Sequence, residues 1–363
     1  MRRTLSTLLV LIFIATGANA GSCATDAKAC RRDTKESPSP RIADSLTYAA
    51  RQDAMQFADE VAQRHELDPA WVRSIIGSAR FIPSVQRLIL PPAKSTMSSW
   101  NAYRSRTVDV TRIAAGAAFW RNNAETLARA QATYGVPPEI IVGIIGVETI
   151  YGRNMGNFRV LDALATLTFD FPEEHPRAAQ RTAFFREELE NFLSLESRTH
   201  EDPRVPRGSY AGAMGMPQFM PSSIAKYAVD FDGDDHIDLV HSAADVIGSV
   251  ANYLHAFGWQ AGVPATFPVD FNTERLQMDT LLAPDIVPTF SVDAFCAAGV
   301  ILDEKAQNYP DLLALIKLRN GQDAPSYVAG TQNFYVITRY NWSSYYAMAV
   351  LELGAEIKAA MGL

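Results

Sequence analysis

The sequence predicts a mainly α-helical protein. Apolar residues recur at helical spacing in Ala49–His65, a long alanine-rich stretch runs from Thr107 to Tyr134, and no internal repeat or long period-2 series breaks the pattern. In the first stretch Met55, Ala58, Val61 and Ala62 share one face. Asp68-Pro69-Ala70-Trp71 starts a second helix, with Asp68 as cap and Pro69 in the first turn, where a missing N–H leaves no bond unmade. Pro137 and Pro138 start another, and Gly152 suits its end. A further helix starts at Asp245 and ends near Gly258. Val263–Thr289 is richer in proline and β-branched residues, so a small strand pair or a long loop is expected there.

The first twenty residues run from Arg2 and Arg3 through an apolar stretch, Leu8–Ile14, to Ala18-Asn19-Ala20. Charge, short apolar core and small residues in that order read as an export signal cleaved after Ala20. The stretch is too short for a permanent span, which needs roughly 20 apolar residues, and nothing later comes closer, so no membrane-spanning protein is expected. Residues 21–43 are polar, with Ser-Pro-Ser-Pro at 37–40, and read as a flexible tether. Export permits a Cys23–Cys30 disulfide, with Cys296 left over. A lipidated Cys23 is the second reading of the same region. The net charge of -7 becomes -9 once Arg2 and Arg3 are removed, and phosphate contacts demand clustered cations, so nucleic acid is not an expected partner.

Four features carry chemistry. Along the helix from Pro137, Ile141, Ile144 and Ile145 precede Glu148 by seven, four and three residues, which puts its carboxyl on an apolar stripe. Desolvation disfavours the carboxylate, so such a group keeps its proton near neutral pH and can donate it as a general acid. An ion pair with Arg153 is the alternative. Gly208–Ser223 is punctuated by Gly208, Gly212, Gly215, Pro217 and Pro221; it reads as a loop that a ligand can approach closely, with Ser209 and Gln218 as hydrogen-bonding side chains, or simply as a tight connection. Asp230, Asp232 and Asp234 alternate, and the His236 carbonyl falls at the seventh position, as in an EF-hand calcium loop. The sixth position is Asp235 where glycine is usual, and the twelfth is His241 where a glutamate is usual, so Asp245 is the candidate to close a longer loop; a solvated acidic turn is the other reading. Near the end, Tyr340, Asn341, Trp342, Tyr345 and Tyr346 combine ring faces with polar tips suited to sugars, although such rings also fill cores.

In this order the pieces resemble the lytic murein transglycosylase B family of Gram-negative bacteria (glycoside hydrolase family 103). The resemblance rests on Gly146–Pro172, Gly208–Ser223, Tyr227–Leu239, Ile247–Leu254 and Ile337–Val350, and spans about Asp44 to Leu353. It implies a lysozyme-like catalytic core, 131–262, carrying a calcium loop at 230–245, between an accessory N-terminal helical lobe, 44–130, and a C-terminal segment, 263–363, that returns to the cleft. By resemblance Glu148 is catalytic, and Ser209, Gln218, Tyr253, Tyr340, Asn341 and Tyr346 contact sugar. Arg181, what remains here of an arginine pair and tyrosine usual after Phe171, is by the same resemblance a further substrate-binding residue. Asp230, Asp232, Asp234, the His236 carbonyl and Asp245 would bind structural calcium. The implied reaction is non-hydrolytic cleavage of the β-1,4 bond between N-acetylmuramic acid and N-acetylglucosamine in peptidoglycan, giving 1,6-anhydromuramyl ends, in the periplasm or from an outer-membrane anchor at Cys23. A hydrolytic muramidase and a non-catalytic, calcium-stabilised wall-binding scaffold are the alternatives, and other cell-wall enzymes are open as partners.

Overall fold

The structure, a computed structural model, describes residues 47–91 and 99–363. The expected signal, the tether and the Cys23–Cys30 pairing lie outside the described residues. The chain is predominantly helical with small antiparallel sheets, as the sequence predicts.

The N-terminal helices follow their local signals. Helix α1 (Gln52–His65) buries Ala58, Val61 and Ala62 of the expected face together with Phe57. Helix α2 (Pro69–Ser78) is capped by Asp68, whose side chain accepts from the Ala70 N–H. Helix α3 (Pro83–Leu88) is short and also starts on proline. The alanine-rich stretch is not one helix. It comprises the end of α4 (Trp100–Thr107), then α5 (Val110–Asn122) and α6 (Ala124–Tyr134). Polar side chains at the joints bond the backbone: Asp109 accepts from the N–H groups of Thr111 and Arg112, and Asn123 donates to the Phe119 carbonyl. Helix α7 (Pro138–Thr149) carries Glu148, and its residues from Ile140 to Thr149 are all buried, as befits a helix that is apolar all round.

A two-residue ladder pairs β1 (Phe158–Arg159) with β2 (Arg207–Gly208), and the chain between them forms α8 (Val160–Phe169) and the long α9 (Ala178–Thr199). Helices α10 (Pro221–Tyr227) and α11 (Ala243–Ala256) flank the acidic loop. Beyond them the structure holds more sheet than the expected strand pair or long loop. Val263–Thr289 supplies one strand, β3 (Thr266–Phe271), and a short helix, α12 (Met278–Leu282), but the sheet continues downstream. Its order is β4-β3-β6-β5, all antiparallel, with β4 (Val300–Leu302), β5 (Ala314–Asn320) and β6 (Asp323–Gly330). Helices α13 (Val292–Ala297) and α14 (Glu304–Gln307) bracket β4. Finally α15 (Gln332–Tyr340) and α16 (Ser344–Ala360) follow, and α16 returns to pack on α7.

Among the described residues three apolar cores result. One joins α1–α3 to α8, α9 and the Ala211–Ala213 loop. The second is central and gathers α4–α7, α11, α15, α16 and the inner side of β5. The third lies beneath the sheet, around Phe267, Phe295, Leu313 and Leu315. Residues 47–91 thus pack in the first core and residues 100–134 in the second. Helices α7 and α16 meet backbone to backbone: a Cβ on Gly143 would lie 2.4 Å from the Val350 carbonyl oxygen, and one on Gly354 2.2 Å from that of Glu139. Close approach of this kind fixes α16, and with it Tyr346, against the helix that bears Glu148.

Candidate active site

Glu148 stands in the last turn of α7, 9% exposed. The helix ends abruptly after it, because Ile150 and Tyr151 both adopt left-handed backbone with φ of 53° and 57°. The Thr149 hydroxyl donates to the Met216 carbonyl at 2.8 Å and accepts from the Gly152 N–H at 3.1 Å. That pair ties the glutamate's turn to the glycine-rich loop.

The carboxyl is ringed by phenols. Tyr346 donates to Glu148 Oε1 at 2.6 Å, whereas Arg153, the alternative partner, is exposed. Tyr340 stacks on Tyr346 with ring centroids 6.3 Å apart, and Tyr253 lies 4.9 Å from Tyr340. The Tyr340 hydroxyl donates to the Pro217 carbonyl at 2.6 Å, and the Tyr253 hydroxyl to the Arg339 carbonyl at 2.7 Å. Burial pushes Glu148 up to about 7, against the opposing donation from Tyr346. Burial also raises Tyr103 to about 12 and Tyr340 and Tyr346 well above the usual phenol range, with the Glu148 charge adding to each. The phenols therefore stay protonated at any physiological pH and can act only as neutral donors.

The loop residues are placed by the turn geometry after Glu148. Gly156 has φ of +91°, and a Cβ there would sit 2.1 Å from the Gly208 carbonyl oxygen, so the chain after α7 lies directly on the start of the glycine-rich loop. The Ser209 hydroxyl accepts from the N–H groups of Ala211 and Ala213, which leaves its own proton to donate. Gln218 adopts φ of 52° and donates from Nε2 to the carbonyls of Met155 and Gly215. Asn341 follows Tyr340, and its side-chain oxygen is buried without a hydrogen-bond partner among the described residues. Arg181 is on α9, in the first core, with its guanidinium 5.1 Å from the Phe185 ring centre and Tyr210 nearby. Two residues of the ring escaped sequence reasoning. Tyr103 comes from α4, far away in sequence, and Phe219 packs on both Tyr253 and Tyr340.

Among the described residues Asp230, Asp232 and Asp245 bring carboxylate oxygens within 4.8 Å of one another. Asp245 is buried at the start of α11 and accepts from the N–H groups of Phe231 and Asp238. Asp235, at the position where an EF-hand uses glycine, adopts φ of 69°, a region that aspartate enters more readily than most residues. The substitution thus leaves the loop's turn intact. Asp234 and His236 are exposed, and the Asp234 carboxylate accepts from the His236 N–H at 2.9 Å.

Residues 49–355 match the family described as transglycosylase SLT domain. The chain belongs to this family. It is 39% identical over 322 residues to membrane-bound lytic murein transglycosylase B of Escherichia coli strain K12, covering 86% of this chain and 84% of that one. The crystal structure of soluble lytic transglycosylase SltB1 from Pseudomonas aeruginosa is 40% identical, with a TM-score of 0.77 over 86% of this chain and all of that one. The Escherichia coli lytic transglycosylase Slt35, solved in complex with calcium, is 37% identical, with a TM-score of 0.74 over 90% of this chain and all of the other. The likeness covers the whole of both crystal structures.

Proposed function

We propose that this chain is a peptidoglycan lytic transglycosylase in which Glu148 is the only acid/base residue. The observation that carries this reading is a buried, proton-retaining carboxyl inside a ring of neutral phenols. Its hydrogen-bond partner is a neutral phenol, Tyr346, and not a cation. Ordinary glycosidases need two carboxyl groups across the scissile bond, roughly 5–10 Å apart, whereas substrate-assisted cleavage needs one. Glu148 gives its proton to the glycosidic oxygen as the C1–O bond breaks, and the substrate's acetamide supports the cation at C1. The carboxylate so formed then takes the proton of the same sugar's C6 hydroxyl as that oxygen bonds C1. Tyr346 holds the carboxyl in register through both steps. Ser209 and Asn341 offer a donor and an acceptor for an acetamide group, Gln218 lines the same loop, and Tyr340, Tyr253 and the neighbouring rings supply faces for the sugars. Arg181 supports the Ser209 loop through its place beside Tyr210.

No water is consumed in this scheme. Each cut should leave a 1,6-anhydromuramyl end on the fragment that terminates in the muramyl residue, which weighs one water less than its hydrolytic counterpart. Mass analysis of products from purified sacculi checks this; fragments with ordinary reducing ends would move the assignment to a muramidase.

The signal-like N-terminus and the wall substrate together support action in the periplasm, with release after Ala20 favoured over anchoring at Cys23. Among the described residues no helix is long and apolar enough to cross a membrane.

Calcium in the loop from Asp230 to Asp245 is supported by the converging carboxylates and by the relative solved with that ion. Asp230, Asp232 and Asp245 would hold it, with Asp234 and the His236 carbonyl completing an oxygen shell, and its chemistry would be charge neutralisation beside α11, remote from proton transfer. An ion that binds only the folded state raises the melting temperature as its free concentration rises. A rise of several degrees in millimolar calcium, absent in Asp232→Ala, is the expected result in a thermal melt. Identical melts with calcium and with chelator would reduce the loop to an acidic turn.

A further inference from the structure

Glu188 is a buried carboxyl that the chemistry at Glu148 does not use. It stands on α9, 2% exposed, on the same helix as the core residues Phe185, Leu189 and Phe192. A carboxyl is costly to bury unless its oxygens are hydrogen-bonded. Both oxygens of Glu188 are committed to one residue: Oε1 accepts from the Ser222 hydroxyl at 2.6 Å, and Oε2 accepts from the Ser222 N–H at 2.9 Å. Burial pushes this carboxyl up, and the two bonds from Ser222 oppose the shift. Ser222 lies in the first turn of α10, four residues beyond Gln218. The pair therefore ties the long helix α9 to the end of the glycine-rich loop.

That end needs holding. Gln218 keeps left-handed backbone, φ 52°, which a residue other than glycine retains only where its surroundings over-determine it. Restraint from one side comes from the Tyr340 hydroxyl on the Pro217 carbonyl and from Met214 and Phe219, which exchange backbone bonds of 2.8 and 3.1 Å. On the other side the chain crosses between cores at once: Phe219 packs in the central core and Met220 in the first, and Glu188 then fixes the chain at Ser222. With the backbone pinned at both ends, Gln218 Nε2 donates to the carbonyls of Met155 and Gly215, which leaves its oxygen to accept from a sugar. We infer that Glu188 is a positioning residue for substrate binding: through Ser222 it holds Gln218 in its left-handed turn and so sets the loop's contact with the glycan. This rests on the transglycosylase reading, because a glycan must be the ligand of Gln218.

Steady-state kinetics on isolated glycan strands test it, at a temperature where melting curves show each variant folded. Glu188→Leu keeps the bulk but offers no acceptor; KM is expected to rise roughly tenfold, the scale of one lost hydrogen bond to sugar, while the pH midpoint set by Glu148 stays in place. Glu188→Gln can accept from the Ser222 N–H and donate to the Ser222 hydroxyl, so it should recover most of the parent's KM. Ser222→Ala removes one bond of the two and should fall between. A double-mutant cycle with Gln218→Ala gives a readout that mere support of α9 would not move. Gln218→Ala should raise KM roughly tenfold in the parent yet less than twofold in Glu188→Leu, where the side chain is already misplaced. If Glu188→Leu does not fold, Ser222→Ala takes its place in the cycle, and the effect of Gln218→Ala should again shrink. Additive losses, a parent indifferent to Gln218→Ala, or a Glu188→Gln variant as impaired as Glu188→Leu overturns the positioning role. The transglycosylase reading fails separately, through product masses of the unmutated enzyme.

Discussion

Glu148→Gln is expected to fold, to bind glycan strands and to lose cleavage by roughly 10²–10⁴-fold, the usual worth of one general acid–base group. The amide keeps the shape of the side chain and can still accept from Tyr346 at the position of Oε1, so the ring of phenols need not rearrange. It cannot give a proton to a leaving oxygen or take one from a C6 hydroxyl. With one carboxyl performing both steps there is no second group to restore half of the reaction. Single-turnover assays on isolated strands, with a melting curve as control, measure this. Retained activity would remove Glu148 from the mechanism. The pH profile of the unmutated enzyme follows from the same group. Glu148 must be protonated before the bond breaks, and its folded value of about 7 means that kcat/KM is level below that point and falls about tenfold per unit above it. An ordinary exposed glutamate would lose the proton near 4.3 and leave almost no acid form at neutral pH.

What made the site legible was local pattern. The isoleucines three, four and seven residues before Glu148 report its burial, because helical spacing alone places them beside it, and the alternating aspartates mark the loop where the carboxylates of Asp230, Asp232 and Asp245 converge. The helical character of the chain was equally plain, as were the caps at Asp68 and the proline-led starts. What was lost depends on contacts distant in sequence. Tyr103, on α4 and 45 residues before Glu148, feels the charge of its carboxylate, and nothing in Trp100–Thr107 distinguishes such a ring from one that merely fills a core. The break of the alanine-rich stretch at Asp109 and Asn123 was visible in principle, since both residues compete for backbone bonds. The hairpin of β5 and β6 also left a signal: Asn320-Gly321 stands between two runs rich in apolar and β-forming residues, and Gly321 adopts φ of +68°.

The contact of Gly156 with Gly208 leads to the largest structural effect expected of a one-methyl change. In Gly156→Ala the new Cβ would be 2.1 Å from the Gly208 oxygen, 2.3 Å from its carbonyl carbon and 2.7 Å from the Ser209 nitrogen. All three are backbone atoms, so no side chain can swing aside, and φ of +91° is itself strained for alanine. Strained backbone costs about 1–3 kcal/mol and overpacking about another 1–3 kcal/mol, which against a total stability of roughly 5–15 kcal/mol is a large share. The melting temperature should therefore fall by roughly 5–15 °C, at a few degrees per kcal/mol in a protein of this size. Function should suffer beyond the loss of stability, because relief of the clash must displace Gly208 and Ser209 from the turn that follows Glu148. At a temperature where the variant remains folded, KM for glycan strands is expected to rise. Gly262→Ala separates the two causes: its φ of +77° imposes the same backbone strain, but an added Cβ meets nothing within 4 Å. That substitution should cost only the strain and leave KM alone. Equal losses at the two positions would show that backbone conformation alone, and not the seating of one strand on the other, makes Gly156 necessary.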